Sequence, residues 1–294
     1  MKQNGVTVSV IMITYNHEKY IKQAVESVLM QKCNFEIELI VVNDCSPDNT
    51  CEVINKVINS HINGAWVKYT RHSKNIGMNE NFFWAVQQCK GKYIALCEGD
   101  DYWTDKLKLQ KQVDFLESNH SYVMTCHSIN ELKIDILNKA DWRCNKNRVK
   151  YKLEDYLYKL FFHTSSVVYR NLELPSYIKS DKILNGDYAV FSYILTKGNL
   201  FYFNEIMSVY RKHDGGISNS SLHKKNRKVY ESKNYIFENL NAITNFAYLR
   251  YIRINFLIEK EIFLMNSKNS SYNINRFKYW FYKLTYKFVL FLNK

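Results

Sequence analysis

The stretch Val6–Tyr20, VTVSVIMITYNHEKY, passes within fifteen residues from an apolar, β-branched run to a polar loop. Val6–Thr14 suits a strand buried on both faces, as in the interior of a parallel sheet. From His17 to Gln31, Ile21, Ala24, Val25, Val28 and Leu29 fall at helical spacing, so a helix should follow. The alternation continues outward. Phe35–Asn43 (FEIELIVVN) is a second strand, and Val53, Ile54, Val57 and Ile58 mark one face of the next helix. Ala65–Thr70 and Tyr93–Cys97 are further strands, with a helix over Asn79–Cys89 between them. Strands alternating with helices predict an α/β fold with a Rossmann-like, mainly parallel sheet and flanking helices.

Ligands of such sheets gather at the carboxyl ends of strands. Three loops occupy those places: Thr14, Tyr15 and Asn16; Asp44, Cys45 and Ser46; and Glu98, Gly99, Asp100 and Asp101. Neighbouring residues at a strand end point in opposite directions, so Asp100 and Asp101 can serve two partners, a ribose and a divalent cation. Carboxylate oxygens suit Mg2+ or Mn2+. A lone Asp-Asp pair is equally a solvated turn, Asp44 equally an acid ahead of the helix-starting SPDNT, and Tyr15 equally a packing residue.

Past Lys106 the pattern mixes: helices over Leu107–Leu116 and Asp187–Thr196, strands over Tyr122–Cys126, Ser165–Tyr169 and Leu200–Arg211. His213–Ser221 (HDGGISNSS) is a glycine- and serine-rich break, which divides a domain of 1–220 from a basic, aromatic, helical C-terminal region of 221–294.

The 294 residues are 46% hydrophobic with nine Gly and two Pro, enough apolar surface for a real core and unlike a disordered chain. The net charge of +13 invites a nucleic-acid reading until it is located. Residues 221–294 hold fourteen Lys and Arg against four Asp and Glu, so +10 of the charge and 17 aromatic residues belong to the last quarter. No nucleic-acid partner is expected. At helical spacing Phe277, Phe281, Leu284 and Phe288 share a face flanked by Lys278, Lys283 and Lys287, a pattern that suits peripheral contact with an anionic membrane, or packing on the core or a second subunit. Seven Cys without a CxxC pair suggest neither a disulfide framework nor a zinc ribbon, and no run reaches the roughly 18–20 apolar residues of a spanning helix. The expected location is cytoplasmic, peripheral on the inner face of the inner membrane; an oligomer is left open.

In their order and spacing, VSVIMITYNHEKYIKQAVESVLMQ, ELIVVNDCSPDNT and NIGMNENFFWAVQQCKGKYIALCEGDDYW resemble the nucleotide-sugar half of inverting family-2 glycosyltransferases of the GT-A fold. The likeness is close over residues 6–118 and looser to about Ser218, through HTSSVVYR, NGDYAVF and YRKHDGGIS. It implies a nucleotide-sugar half of 1–118 and an acceptor half of 119–220. It also implies that Thr14, Tyr15 and Asp44 hold the base of the donor, with Asn75 closing the pocket and Asp44 favouring a pyrimidine, hence a UDP-sugar. Asp100 would meet the ribose or metal, Asp101 would be the principal ligand of Mn2+ or Mg2+, and His213 would reach the donor phosphates or the metal. Asp187 would be the catalytic base, with a helix-cap role as its alternative. Arg211 is a second phosphate candidate or an ordinary surface ion pair, Trp103 a sugar-stacking floor or a core residue, His163 a lining of the acceptor side, and His127 structural.

The activity so implied is transfer of a sugar to a saccharide or lipid-linked saccharide acceptor. A sugar-nucleotide nucleotidyltransferase is the competing enzyme, disfavoured because TYNHEKY has no Gly where a phosphate loop would need it. No P-loop, GxGxxG or QxxRW element occurs.

Overall fold

The computed structural model describes residues 5–140, 142, 147–214, 227–266 and 277–286. The elements run β1 (Val8–Thr14), α1 (Ile21–Leu29), β2 (Ile37–Asn43), α2 (Thr50–Ser60), β3 (Val67–Arg71), α3 (Met78–Gln88), β4 (Tyr93–Leu96), β5 (Tyr102–Trp103), α4 (Lys108–Ser118), β6 (Tyr122–Lys133), β7 (Ile136–Ala140), β8 (Lys150–Tyr151), α5 (Leu153–Tyr158), β9 (Val168–Arg170), α6 (Gly186–Leu195), β10 (Asn199–Lys212), α7 (Arg227–Ile243) and α8 (Leu249–Asn266). A last helix, α9, covers 277–286.

The strand order is β3-β2-β1-β4-β9-β6-β10-β5. Its first four strands are parallel, with Thr14 beside Asn43 and Ile11 beside Leu96. β1 and β2 are buried on both faces apart from a half-buried Ile13, as their β-branched runs require. Ile21, Ala24, Val25, Val28 and Leu29 of α1 are all fully buried against this sheet. The mainly parallel α/β architecture expected from the alternation is therefore present. β9 joins it antiparallel, between β4 and β6.

The helix expected from His17 begins at Ile21, because residues 18–20 form a turn. β6 runs on to Lys133 and folds back on β7 through Ile134 and Asp135, both with positive φ (47° and 61°). A β-branched Ile in that conformation is rare, so the hairpin carries no Asn-Gly or Gly-X signal in the sequence.

Two compact units interleave along the chain. One comprises 1–150, 161–173 and 198–212 and contains β1–β7, β9 and β10; the other comprises 151–160, 174–197 and 213–294 and contains α5–α9. Gly215, Gly216 and Ser218–Ser221 of the expected break, with Lys287 and Phe288, lie outside the described residues.

Among the described residues of the first unit, one lysine is completely buried. Lys108 Nζ donates to Gln112 Oε1 (2.8 Å) and sits 4.1 Å from the ring centroid of Trp103. Trp103 is 1% exposed and its indole N–H donates to the carbonyl of Ser165 (2.9 Å), so of its two readings the structure gives the core residue and not a sugar-stacking floor. Burial pulls the Lys108 ammonium down from 10.5 to about 7. Between those values the unfolded chain keeps a proton that the native state sheds, so Lys108 adds stability as pH rises above 7 and loses that contribution as pH falls through it. Lys108→Met, close in volume, should flatten the rise of unfolding free energy across this window, a rise of at most about 1.4 kcal/mol per pH unit. Urea unfolding at a series of pH values measures it; an unchanged slope would show that Lys108 is solvated.

Candidate active site

The three polar loops meet at one edge of the first unit because their strands end in register. Asp44 N–H donates to the carbonyl of Thr14 (2.9 Å), Asn16 N–H to Ser46 Oγ (2.9 Å), and Gly99 N–H to the carbonyl of Ile13 (3.0 Å). Asn16 and Cys45 each take φ of 59°, a conformation costly for non-glycine residues, and each lies two residues beyond its strand. Gly99 is required by closeness. A Cβ there would lie 2.6 Å from Thr14 Oγ1 and 2.9 Å from His17 Nδ1. Thr14 is buried and hydrogen-bonded to His17 (3.1 Å), so it has little room to yield. Gly99→Ala should cost about 1–3 kcal/mol in chemical denaturation through this clash; an unaltered midpoint would mean that the loops are not packed this way.

Asp44 is buried and held through both oxygens: Oδ1 accepts from Ile76 N–H (2.7 Å) and Oδ2 from Gly77 N–H (2.9 Å). Each oxygen retains a second lone pair for a ligand donor. Gly77 takes φ of 91°, which a side chain would strain, so the turn that presents these N–H groups depends on glycine. Asn75 Nδ2 donates to the Asp44 carbonyl (3.2 Å), which places Asn75 beside Asp44, and Asn75 itself is exposed. Tyr15 is 46% exposed next to this corner. Its ring is thus partly open to solvent.

The acidic loop follows β4. Carboxylate oxygens of Glu98, Asp100 and Asp101 lie within 4.8 Å of one another. Asp101 is fully buried; its Oδ1 accepts from the Arg211 backbone N–H (3.0 Å), while its Oδ2 has no hydrogen-bond partner. His163 Nδ1 stands 3.5 Å from that oxygen. This is not an ion pair at neutral pH, because burial brings the imidazole down to about 4 and Nδ1 already accepts from Ser165 N–H (3.2 Å). Burial first, then the charges of Asp100 and Glu98, push the Asp101 carboxyl well above its usual range. A buried, crowded carboxylate with an orphaned oxygen fits a divalent cation, which would supply the missing charge and ligand contact. Asp100 and Glu98 are half-buried and complete an all-oxygen donor set of the kind Mg2+ and Mn2+ prefer.

Arg211 acts on this loop by a route neither sequence reading anticipated. Besides its backbone bond to Asp101, its Nη1 donates to the Asp100 carbonyl (2.6 Å) and a second nitrogen reaches Gln23. Its guanidinium lies 4.4 Å from the Tyr102 ring centroid and 5.2 Å from that of Tyr20. The strand β10 thereby clamps the acidic turn. His17 and Glu98 are the site residues the sequence reading missed: His17 Nε2 is 3.9 Å from Asp100 Oδ2, and Glu98 Oε1 accepts from Thr164 Oγ1 (3.2 Å). Glu98 already stood in a strand-end loop, which was the available signal, whereas His17 was read as the start of the helix that in fact begins at Ile21.

His163 stacks on Tyr210 (4.2 Å between centroids), and buried His127 has its imidazole pushed well below its usual range by burial. His213 directly follows β10. In the second unit, Asp187 is half-buried in the first turn of α6, after Asn185 and Gly186. Its charge, behind burial, helps hold the Tyr156 phenol well above its usual range.

Strand order, polar strand ends and acidic turn together are those of a GT-A fold. The model of the family described as Glycosyl transferase family 2 matches residues 9–171, more than half of the chain, and the chain belongs to that family. An uncharacterized protein of Mycobacterium tuberculosis is 31% identical over 228 residues, 77% of this chain and 64% of its own length. Poly(ribitol-phosphate) beta-N-acetylglucosaminyltransferase TarS of Staphylococcus aureus is 33% identical over 117 residues, 40% of this chain and 20% of its own. The chain thus spans less than two thirds of the length of either relative. Among solved structures, TarS 1–349 in complex with UDP-GlcNAc superposes with a TM-score of 0.61 at 16% identity, covering 98% of this chain and 93% of that one. The mannosyltransferase PcManGT of Pyrobaculum calidifontis, with GDP-Man and Mn2+, gives 0.57 at 13%, covering 99% and 89%. These likenesses show the fold.

Proposed function

We propose that the chain transfers a sugar from a nucleoside-diphosphate donor, a UDP-sugar, to a saccharide or lipid-linked saccharide acceptor, with inversion and with the aid of Mn2+ or Mg2+. The observation that carries this reading is the orphaned, buried Asp101 oxygen beside Asp100 and Glu98, one strand away from the Thr14, Tyr15 and Asp44 corner. Tyr15 offers a ring face to the base, and the fixed Asp44 carboxylate accepts the imide N–H of a uracil. Asn75 holds the Asp44 backbone and closes that pocket. Asp100 and Asp101, with Glu98, would hold the cation, and His213 would contact it or the phosphates. When bound, the cation neutralises charge on the departing diphosphate. Asp187 takes the proton of the acceptor hydroxyl as that oxygen attacks the anomeric carbon from the face opposite the leaving group.

Support comes also from relatives: TarS is solved with UDP-GlcNAc and PcManGT with GDP-Man and Mn2+. WfaP of Escherichia coli, named as a glucosyltransferase acting on a diphosphoundecaprenol-linked sugar, is 34% identical over 114 residues, 38% of this chain and 41% of its own. A cytoplasmic setting, where nucleotide sugars are made, goes with this reading. The test is a panel of UDP-, dTDP-, CDP- and GDP-sugars titrated in Mn2+ or Mg2+. Binding of the uracil and thymine nucleotides, lost in Asp44→Ala, is expected; equal binding of GDP-sugars would refute the base assignment.

A further inference from the structure

Helix α9 (277–286) has two unlike faces. One is fastened within its own unit: Tyr286 is buried, stacks on Tyr158 of α5 (5.1 Å) and donates its hydroxyl to the Glu154 carbonyl (2.7 Å). Lys283 turns the same way, donating to the Tyr158 carbonyl (3.1 Å), so it is not the flanking surface charge that helical spacing suggested. The other face carries Phe277, Trp280, Phe281 and Leu284 at i, i+3, i+4 and i+7, exposed by 73%, 57%, 57% and 63%. A docked helix that still shows solvent four large apolar side chains in a row has a surface built for a partner.

We infer that this stripe seats α9 in the interface of an anionic lipid bilayer, lying along the surface. Trp and Phe are the side chains that reside at headgroup depth, and exposed Lys278 stands beside the stripe at phosphate level. The net +10 over residues 221–294 gives the attraction its sign. The same charge disfavours a second copy of the chain as occupant, because two such regions repel. Among the described residues no helix is long and apolar enough to cross a membrane, so the contact is peripheral. The membrane contact does not depend on the donor chemistry proposed above and is tested without it.

The test is flotation of the full chain with phosphatidylcholine vesicles, with and without phosphatidylglycerol, beside Phe281→Glu, the double variant Phe277→Ser with Trp280→Ser, and Ile62→Glu as an exposed apolar control in the other unit (94% exposed). Thermal melts verify that each variant folds. Binding confined to the anionic vesicles, weakened by salt, unaffected in Ile62→Glu and reduced roughly tenfold or more in both stripe variants, is expected. No binding, equal binding to neutral vesicles, or stripe variants that bind like the native chain would overturn the inference. So would a dimer in sedimentation that the stripe substitutions dissolve, which would make the occupant a second copy.

Discussion

Asp101→Asn is expected to move stability and activity in opposite directions. The amide keeps an oxygen to accept the Arg211 N–H, so the clamp on the acidic turn survives. What it removes is a fully buried charge crowded by Asp100 and Glu98. Without metal, the variant should therefore unfold at a higher denaturant concentration than the native chain, by about 1–3 kcal/mol, the scale of an uncompensated buried polar group. With Mn2+ the order should narrow or reverse, because only the native chain gains the cation's binding energy. Sugar transfer should fall by roughly 10^3-fold, equivalent to about 4 kcal/mol of lost stabilisation of the departing diphosphate. A residue kept only for packing would not show this exchange of stability for function. Equilibrium unfolding with and without Mn2+, beside transfer rates, measures both; a variant destabilised in the absence of metal would contradict the account of Asp101.

Asp187→Asn should slow transfer by about 10^2- to 10^4-fold, the usual contribution of a positioned general base. Asn keeps the shape of the side chain and is itself a good helix-start residue. The loss of an acid from the first turn of α6 should cost only about 0.3–1 kcal/mol. Nucleotide binding should be unchanged, since the proposed base meets the acceptor and not the donor. A normal melting curve and normal donor affinity with transfer intact would remove Asp187 as the base and leave it the helix-start acid that its position equally allows.

Much of the first unit was legible because its signals are local. β1, β2 and β4 are largely apolar runs followed by polar side chains, so the three strand-end loops could be picked out by position, and the family resemblance then singled out Thr14, Tyr15, Asp44, Asp100 and Asp101 within them. What stayed hidden depends on residues far apart in the chain. Arg211 reaches Asp101 across 110 positions, and Thr164 reaches Glu98 across 66. Nor does a sequence show that Lys108 turns inward over Trp103, since a lysine in the first turn of an amphipathic helix ordinarily faces solvent. The β6–β7 hairpin was missed for the opposite reason: its turn uses Ile134 where local rules expect glycine or asparagine. On α9 the period was right and the orientation of one residue was not, for Lys283 is taken by a backbone carbonyl of α5.

The central claim is that the acids after β4 and the corner formed by β1 and β2 act as one site for a metal-bound nucleoside diphosphate. Calorimetric titration of UDP into the native chain and into Asp101→Asn, each with Mn2+ and with a chelator, tests it most directly. The account predicts affinity in the native chain that collapses when Mn2+ is withdrawn, and weak affinity in the variant that ignores the metal. UDP binding equally tight in all four conditions would contradict it.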